Sequence, residues 1–276
     1  MLVKSVLATV ACIANLAGAQ VVGSASGAAK GTTGGGDATP AAPADIDELV
    51  EWLTDDQPRV ILIDKEFDFR GSEGETTENG CRPDSNTCGS SGQDAIDGTG
   101  EWRSDSYPVV EVTYDTAATN PIQVASDKSI VGVGDKGVVR GKGFRVVSGA
   151  QNVIFQNFHI TELNPQYIFG GDAIQIRNTD LVWVDHMKIS LAGRQHLVVQ
   201  NDEGGRATIS NTEFDGQTSW SASCDDHHYW SMMIIGKGDH VTLANNWLHN
   251  TSGRSPKVGA GTNLHAVNNL FESNSG

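Results

Sequence analysis

Apolar residues along this chain recur in short β-rich runs rather than in long helical stripes. Val60-Ile61-Leu62-Ile63 is a continuous apolar run and reads as a buried strand. From residue 109 onward such runs follow one another at 109–114, 129–133, 137–139, 144–147 and 153–160. Three more lie at 173–176, 181–184 and 188–191, punctuated by Asn178-Thr179-Asp180 and Gly193. One segment breaks the pattern. Residues 45–53, DIDELVEWL, set Ile46, Leu49, Val50 and Leu53 at helical spacing with acids in the first turn, which predicts a short amphipathic helix.

A weak repeat runs through the β-rich part. IFQNF, VWVDH, TISNT, TLANN and HAVNN place Asn157, Asp185, Asn211, Asn245 and Asn268 after a run, at spacings of 28, 26, 34 and 23 residues. Near-constant spacing without Asn-Gly hairpin signals favours a parallel β-helix over a β-sandwich. Each turn would hold three short strands, with Asn stacked inside at one bend. The 45–53 helix could cap one end of such a solenoid. Asp172 and Arg194 stand 22 residues apart. One solenoid turn separates strands by about 4.8 Å, so this spacing predicts an ion pair between adjacent turns.

Two segments lack periodicity. Residues 21–44 are rich in Gly, Ala and Thr and read, on composition, as a flexible linker. Residues 71–107 are polar, Gly-rich and hold two cysteines, and read as a long surface loop.

Charge narrows the function. With 34 acids against 19 bases the formal net charge is −15, which argues against nucleic acid or an anionic membrane surface as partner. A polyanionic substrate would also be repelled unless a cation or a basic cleft intervened. Residues 1–19 have the form of a secretory signal: Lys4, an apolar core over 5–16, and Ala17-Gly18-Ala19 for cleavage. The apolar run is short for a membrane span, so an extracellular protein comprising 20–276 is expected. Cleavage would leave Cys81, Cys88 and Cys224, an odd count.

The motifs become specific in GGDAI (170–174), LVWVDH (181–186), GRQH (193–196), SASCDDHHYW (221–230), HNTSGRSPKV (249–258) and LHAVNN (264–269). Together they resemble the pectin lyases of fungi and oomycetes, within the pectate lyase superfamily. The likeness runs co-linearly from residue 30 to the last residue. It implies an all-β, right-handed single-stranded parallel β-helix with a short N-terminal capping helix. It also implies that the Gly-rich segment from residue 30 is folded against the helix core, against the linker reading. Family members usually continue with further coils, so the chain reads as C-terminally short, with an exposed last turn.

The resemblance implies an endo-acting lyase that cleaves methyl-esterified polygalacturonate by β-elimination to 4,5-unsaturated oligosaccharides. Arg254, in SGRSPKV, matches the family's proposed proton acceptor. A guanidinium ordinarily keeps its proton, so this role needs burial and neighbouring cations, or a bound water or hydroxide. Arg194 and Lys257 match as those cations and as stabilisers of the enolate, and Asp172 as the group orienting Arg194. Trp220, Tyr229, Trp230 and Phe169 correspond to an aromatic cleft wall; Phe169 and Met233 stand where larger or polar aromatics are usual. Arg194 and Val198 occupy positions of calcium ligands in pectate lyases. No metal and no cofactor are therefore expected, and the chain reads as a monomer whose partner is methyl-esterified pectin. A calcium-dependent pectate lyase and an inactive pectin-binding protein are the alternatives. His227-His228 beside Asp225-Asp226 do not suit one metal ion, because adjacent strand residues face opposite ways.

The family usually has two bridges, and Cys224 matches the coil-side partner. That implies a Cys88–Cys224 disulfide with Cys81 outside it; Cys81–Cys88 is the runner-up on proximity. Glu101-Trp102-Arg103 offers no cysteine where the loop's own bridge would close, so 71–107 is expected to be more mobile than in relatives. Asn250-Thr251-Ser252 is a glycosylation sequon. A glycan there would crowd the cleft, so Asn250 is expected to be unoccupied, or occupied at reduced activity.

Overall fold

The computed structural model describes residues 20–96 and 107–275; the expected signal segment 1–19 and Glu101-Trp102-Arg103 lie outside the described residues. The chain winds through three parallel sheets. The first has seven strands, from Arg59–Ile63 to Asn263–Val267; the second has seven, from Glu66–Asp68 to Leu270–Glu272; the third has six, from Ile122–Gln123 to Lys257–Val258. One turn visits them in a fixed order, as in Gln151–Gln156, His159–Thr161 and Ile174–Ile176. This is the expected parallel β-helix.

The core is a set of side-chain columns. Phe67, Val139, Ile160, Ile189, Phe214 and Leu248 lie in register along the second sheet, all buried. From Val139 to Leu248 each residue is covered by the turn before and the turn after, which is how a three-residue strand becomes fully buried.

The polar repeat is real, but its geometry differs from the expectation. Run 153–160 is two strands, broken at Asn157, whose φ is 62°. The equivalent left-handed corners are His186, Asn211, Asn245 and Asn268, so the second turn uses His186 and not Asp185. All five corner residues are exposed, so the ladder is not inside. Asn is favoured there because it tolerates positive φ, and its amide tethers the neighbouring turn: Asn157 Nδ2 donates to the carbonyls of Gly132 and Gly134 at 3.0 and 2.9 Å. The interior position is the next residue. Asn246 accepts from Thr212 N at 3.0 Å, and Asn269 accepts from Asn246 N at 3.0 Å.

The predicted helix spans Ile46–Thr54, with the Asp45 side chain accepting from the amides of Asp47 and Glu48. Leu49 and Leu53 are fully buried against the first turn. Nearby, the fully buried Lys128 donates to the Asp55 carboxylate at 2.8 Å and to the Asp55 carbonyl at 2.9 Å. Although desolvation acts to raise it, Arg59 and Lys128 hold the Asp55 carboxyl down at about 2.

Neither aperiodic segment is unstructured where it is described. Residues 21–44 lie across the outer face of the first sheet, correcting the linker reading. Ala29 N donates to Thr208 Oγ1 and Gly35 N to Ser129 Oγ, each at 3.0 Å. A Cβ on Gly35 would sit 2.0 Å from the Arg59 carbonyl oxygen, so the glycine is what permits this backbone approach. Within 71–107, Glu75–Cys81 pairs antiparallel with Val109–Asp115, correcting the surface-loop reading. Most of Glu75–Cys81 is solvated on both faces. No apolar alternation was therefore required to build it.

Candidate functional site

The site lies along one edge of the third sheet. Its outward row runs Gln123, Arg145, Gln175, Val198, Met233 and Lys257, in register across six turns. Beside this row the chain places Asp172, Gln195, Trp230 and Arg254 on successive turns. Ala173 N donates to the Gln195 carbonyl at 2.9 Å, His196 N to that of Trp230 at 3.2 Å, and Met232 N to that of Arg254 at 2.6 Å.

Arg254 stands at φ 46°, just before the cis Ser255–Pro256 bond. Its guanidinium carbon lies 4.5 Å above the Trp230 ring, and Nη1 approaches Met233 Sδ at 3.4 Å. With the Gln195 amide oriented to satisfy its neighbours, Gln195 Oε1 accepts from Arg254 Nη1 at 2.6 Å and Nε2 donates to the Trp230 carbonyl at 3.3 Å. Burial, and then the repulsion of Arg194, pushes the Arg254 guanidinium down from its ordinary value. Arg194 repeats the motif two turns earlier, its guanidinium carbon 4.6 Å from the Phe169 ring. Its Nε is buried with no hydrogen-bond partner among the described residues.

Asp172 is buried. Desolvation pushes its carboxyl up, opposed by Arg194. The expected Asp172–Arg194 ion pair is corrected, because no ion pair among the described residues joins the two. The local turn is 23 residues, Ile174 facing Leu197, so Asp172 falls opposite Gln195. Its oxygens accept from Gln195 N at 2.8 Å and Gln175 Nε2 at 3.0 Å. Asp172 therefore acts on Arg194 through space. Lys257 is exposed, in register with Met233.

The aromatic residues divide. Tyr229 is half-buried and meets Trp230 edge-on at 4.8 Å. Trp230 is 4 % exposed, and its Nε1 donates to Gln93 Oε1 at 3.0 Å. This corrects its assignment to the cleft wall: the ring is a floor under Arg254. Trp220 lines a groove of about 410 Å³ with Arg70, Glu162, Pro165 and Leu191. Beneath the arginines, His196 and His228 stack at 4.5 Å inside the coil. Burial pushes His228 down to about 4 and His196 well below its ordinary value, so both are neutral and add no charge under the cations. His227 points the other way, toward Ser275, as strand alternation required.

Cys88 and Cys224 are bridged, 136 residues apart. The bridge ties the segment bearing Gln93 to the turn bearing Trp230. Cys81 packs in the buried cluster of Ala95, Ile168, Ala222 and Trp230. Asn250 occupies a left-handed corner at φ 53°, and the following Thr251 is fully buried, its hydroxyl donating to Asn274 Oδ1 at 2.9 Å.

Calcium needs several oxygen ligands, and the row beside Arg254 does not supply them. Val198 and Met233 are apolar, Lys257 is cationic, and both Asp172 oxygens are engaged. Glu213, Asp215 and His249 do cluster on the second sheet, but Lys188 already bridges the two carboxylates at 2.8 and 3.3 Å.

Gln195 and Gln93 escaped the sequence reading. Gln195 lies within GRQH, where its neighbours to Arg194 drew attention; Gln93 sits in a polar stretch with no pattern to mark it.

A family model described as pectate lyase matches residues 84–276. Probable pectin lyase F of Aspergillus oryzae is 59% identical over 257 residues, covering 93% of this chain and 60% of the relative. Probable pectin lyase F-2 of Aspergillus terreus is 57% identical over 277 residues, covering 100% and 58%. Probable pectin lyase E of Aspergillus fumigatus is 54% identical over 267 residues, covering 92% and 67%. The chain thus spans about 60% of the length of the first of these relatives. Among solved structures, a pectate lyase from Paenibacillus sp. 0602 superposes with a TM-score of 0.57 at 16% identity, covering 89% of this chain and 64% of that one. That likeness concerns the fold.

Proposed function

The chain belongs to the pectate lyase family, and on that premise we propose that it is a pectin lyase, cleaving methyl-esterified polygalacturonate by β-elimination. The carrying observation is the pair of stacked arginines beside Val198 and Met233, a cationic edge with few oxygen ligands. A methyl ester is neutral and acidifies carbon 5, so the substrate needs a base and hydrogen-bond donors rather than a bridging cation.

In this reading Arg254 takes the proton from carbon 5. Its burial over Trp230 and the repulsion of Arg194 make the neutral guanidine less costly. The electron pair of the C5–H bond becomes the C4=C5 double bond. The C4–O4 bond breaks, its pair leaves with O4, and O4 takes a proton from water. Arg194 and Lys257 donate to the enolate-like oxygen of the ester, and Asp172 holds the field that keeps Arg194 at the site. Tyr229 lines the sugar path. The protein acts as a monomer outside the cell, with pectin as its partner and neither nucleic acid nor membrane. Among the described residues no helix is long and apolar enough to cross a membrane. Asn250 carries no glycan, or carries one only at reduced activity, since a glycan there would crowd the cleft; full occupancy by intact mass on a fully active secreted protein would refute this.

The decisive experiment follows absorbance of the unsaturated product on highly esterified pectin and on polygalacturonate, each with and without EDTA. Turnover of the ester that survives EDTA is expected. Turnover of polygalacturonate alone, abolished by EDTA, would favour the calcium-dependent alternative. Binding to pectin without product would favour the inactive one.

A further inference from the structure

Gln195 is fully buried, yet every polar group it owns is committed to the site. Its backbone N donates to Asp172 and its carbonyl accepts from Ala173 N. Its side chain spans the gap between Trp230 and Arg254: Nε2 donates to the Trp230 carbonyl, and Oε1 accepts from Arg254 Nη1 at 2.6 Å. A residue serving only to fill the core would gain nothing from a buried amide, which is costly unless both its ends are satisfied. Here one end is satisfied by the guanidinium itself.

We infer that Gln195 is a positioning residue for Arg254, holding Nη1 from the interior side so that the rest of the guanidinium faces the cleft. This rests on the proposed lyase reading, in which Arg254 is the base. The choice of an amide has a chemical reason. A carboxylate at the same place would hold the guanidinium as firmly, but would also favour its charged form. A neutral acceptor fixes direction with less stabilisation of that form. The other groups facing Arg254 are Arg194, which opposes its charge, Asp172 and Tyr229, which favour it, and the neutral Trp230 ring below. Lys257 follows on the same segment, and His228, held to the Arg194 carbonyl at 2.6 Å, is neutral. Gln195 is the member of this set that touches Arg254 through a directed hydrogen bond from the interior, opposite the cleft.

Two substitutions separate direction from charge. Gln195→Glu keeps the shape and adds charge: the rise of kcat/KM with pH should move to higher pH, by one unit or more, lowering activity at neutral pH by about tenfold per unit. Gln195→Met keeps the volume and removes the acceptor: kcat should fall by about tenfold or more with KM little changed and no upward move of the pH profile. Thermal midpoints near wild type in both variants would confirm that the fold is intact. Wild-type rates and pH profiles in both folded variants would overturn the inference. If either variant does not fold, an atomic-resolution crystal structure of the wild type decides: Oε1 within hydrogen-bond distance of Nη1 supports it, and a guanidinium turned away from Gln195 overturns it. A wild-type protein without lyase activity would instead sink the functional reading, leaving the structural contact to be judged by that crystal structure.

Discussion

Two outward faces of the same solenoid carry acids and bases, and they use them in opposite ways. On the second sheet Lys188 bridges Glu213 and Asp215, His249 meets Glu213 at 3.1 Å, and Arg140 pairs with Glu66 at 2.8 Å. Against the desolvation that would lower it, Glu213 and Asp215 hold the Lys188 ammonium charged and raise it. On the third sheet Arg254 and Arg194 lie over aromatic rings, with no carboxylate in ion-pair contact among the described residues. There burial and mutual repulsion push Arg254 down. The difference lies in what each turn sets beside a cation. Paired charges on a half-exposed face are ordinary surface structure. Unpaired cations held over a buried floor are a strained arrangement that a substrate can relieve.

Breaking the unpaired face should have the largest effect. Arg254→Lys is expected to lower lyase turnover by about 10²–10⁴-fold, the range for a general base, with the thermal midpoint unchanged; product absorbance and calorimetry on the same preparation check both halves. Next comes the fully buried cation that is paired. Lys128→Ala should cost about 3–5 kcal/mol in urea unfolding, as for a broken buried ion pair, while leaving the activity of the folded enzyme intact. Its partner sets a pH window. The Asp55 carboxyl sits at about 2 against an ordinary 3.8. Its contribution is therefore full above pH 4 and is lost as pH falls from there toward 2. An Asp55→Asn protein should melt below wild type above pH 4 and converge with it toward pH 2. Equal melting points across the range would refute the pairing.

The comparison is sharpened by removing the repulsion alone. Arg194→Gln should shift the rise of kcat/KM toward higher pH, because the neighbour that disfavours the charged Arg254 is gone and the protonated form persists further. A downward shift would mean that Arg194 does not act on Arg254 in this way. Least affected should be the paired face: Glu213→Gln is expected to change stability by less than about 1 kcal/mol and to leave the rate and pH profile untouched. A loss of activity there would show that the two faces are not independent.

The sequence by itself carried the family and the order of the coils. Short β-rich runs with a polar residue at each bend are enough for a solenoid, since each turn repeats the same local problem. GRQH and SGRSPKV carried the two arginines, and the family resemblance carried the Cys88–Cys224 bridge across 136 residues. Three-dimensional register decided the rest. One turn of 23 residues, not 22, moved Asp172 off Arg194 and onto Gln195. One displaced corner gave His186 the position expected for Asp185. Glu75–Cys81 became a strand without an apolar pattern because a partner strand supplied its hydrogen bonds. Trp230 became a floor because Gln93, 137 residues away, reached its indole nitrogen. Composition and local periodicity report what a residue prefers beside its chain neighbours. Burial, pairing and the depression of Arg254 depend on what the next turn places a few ångströms away, and that is fixed only when the coils stack.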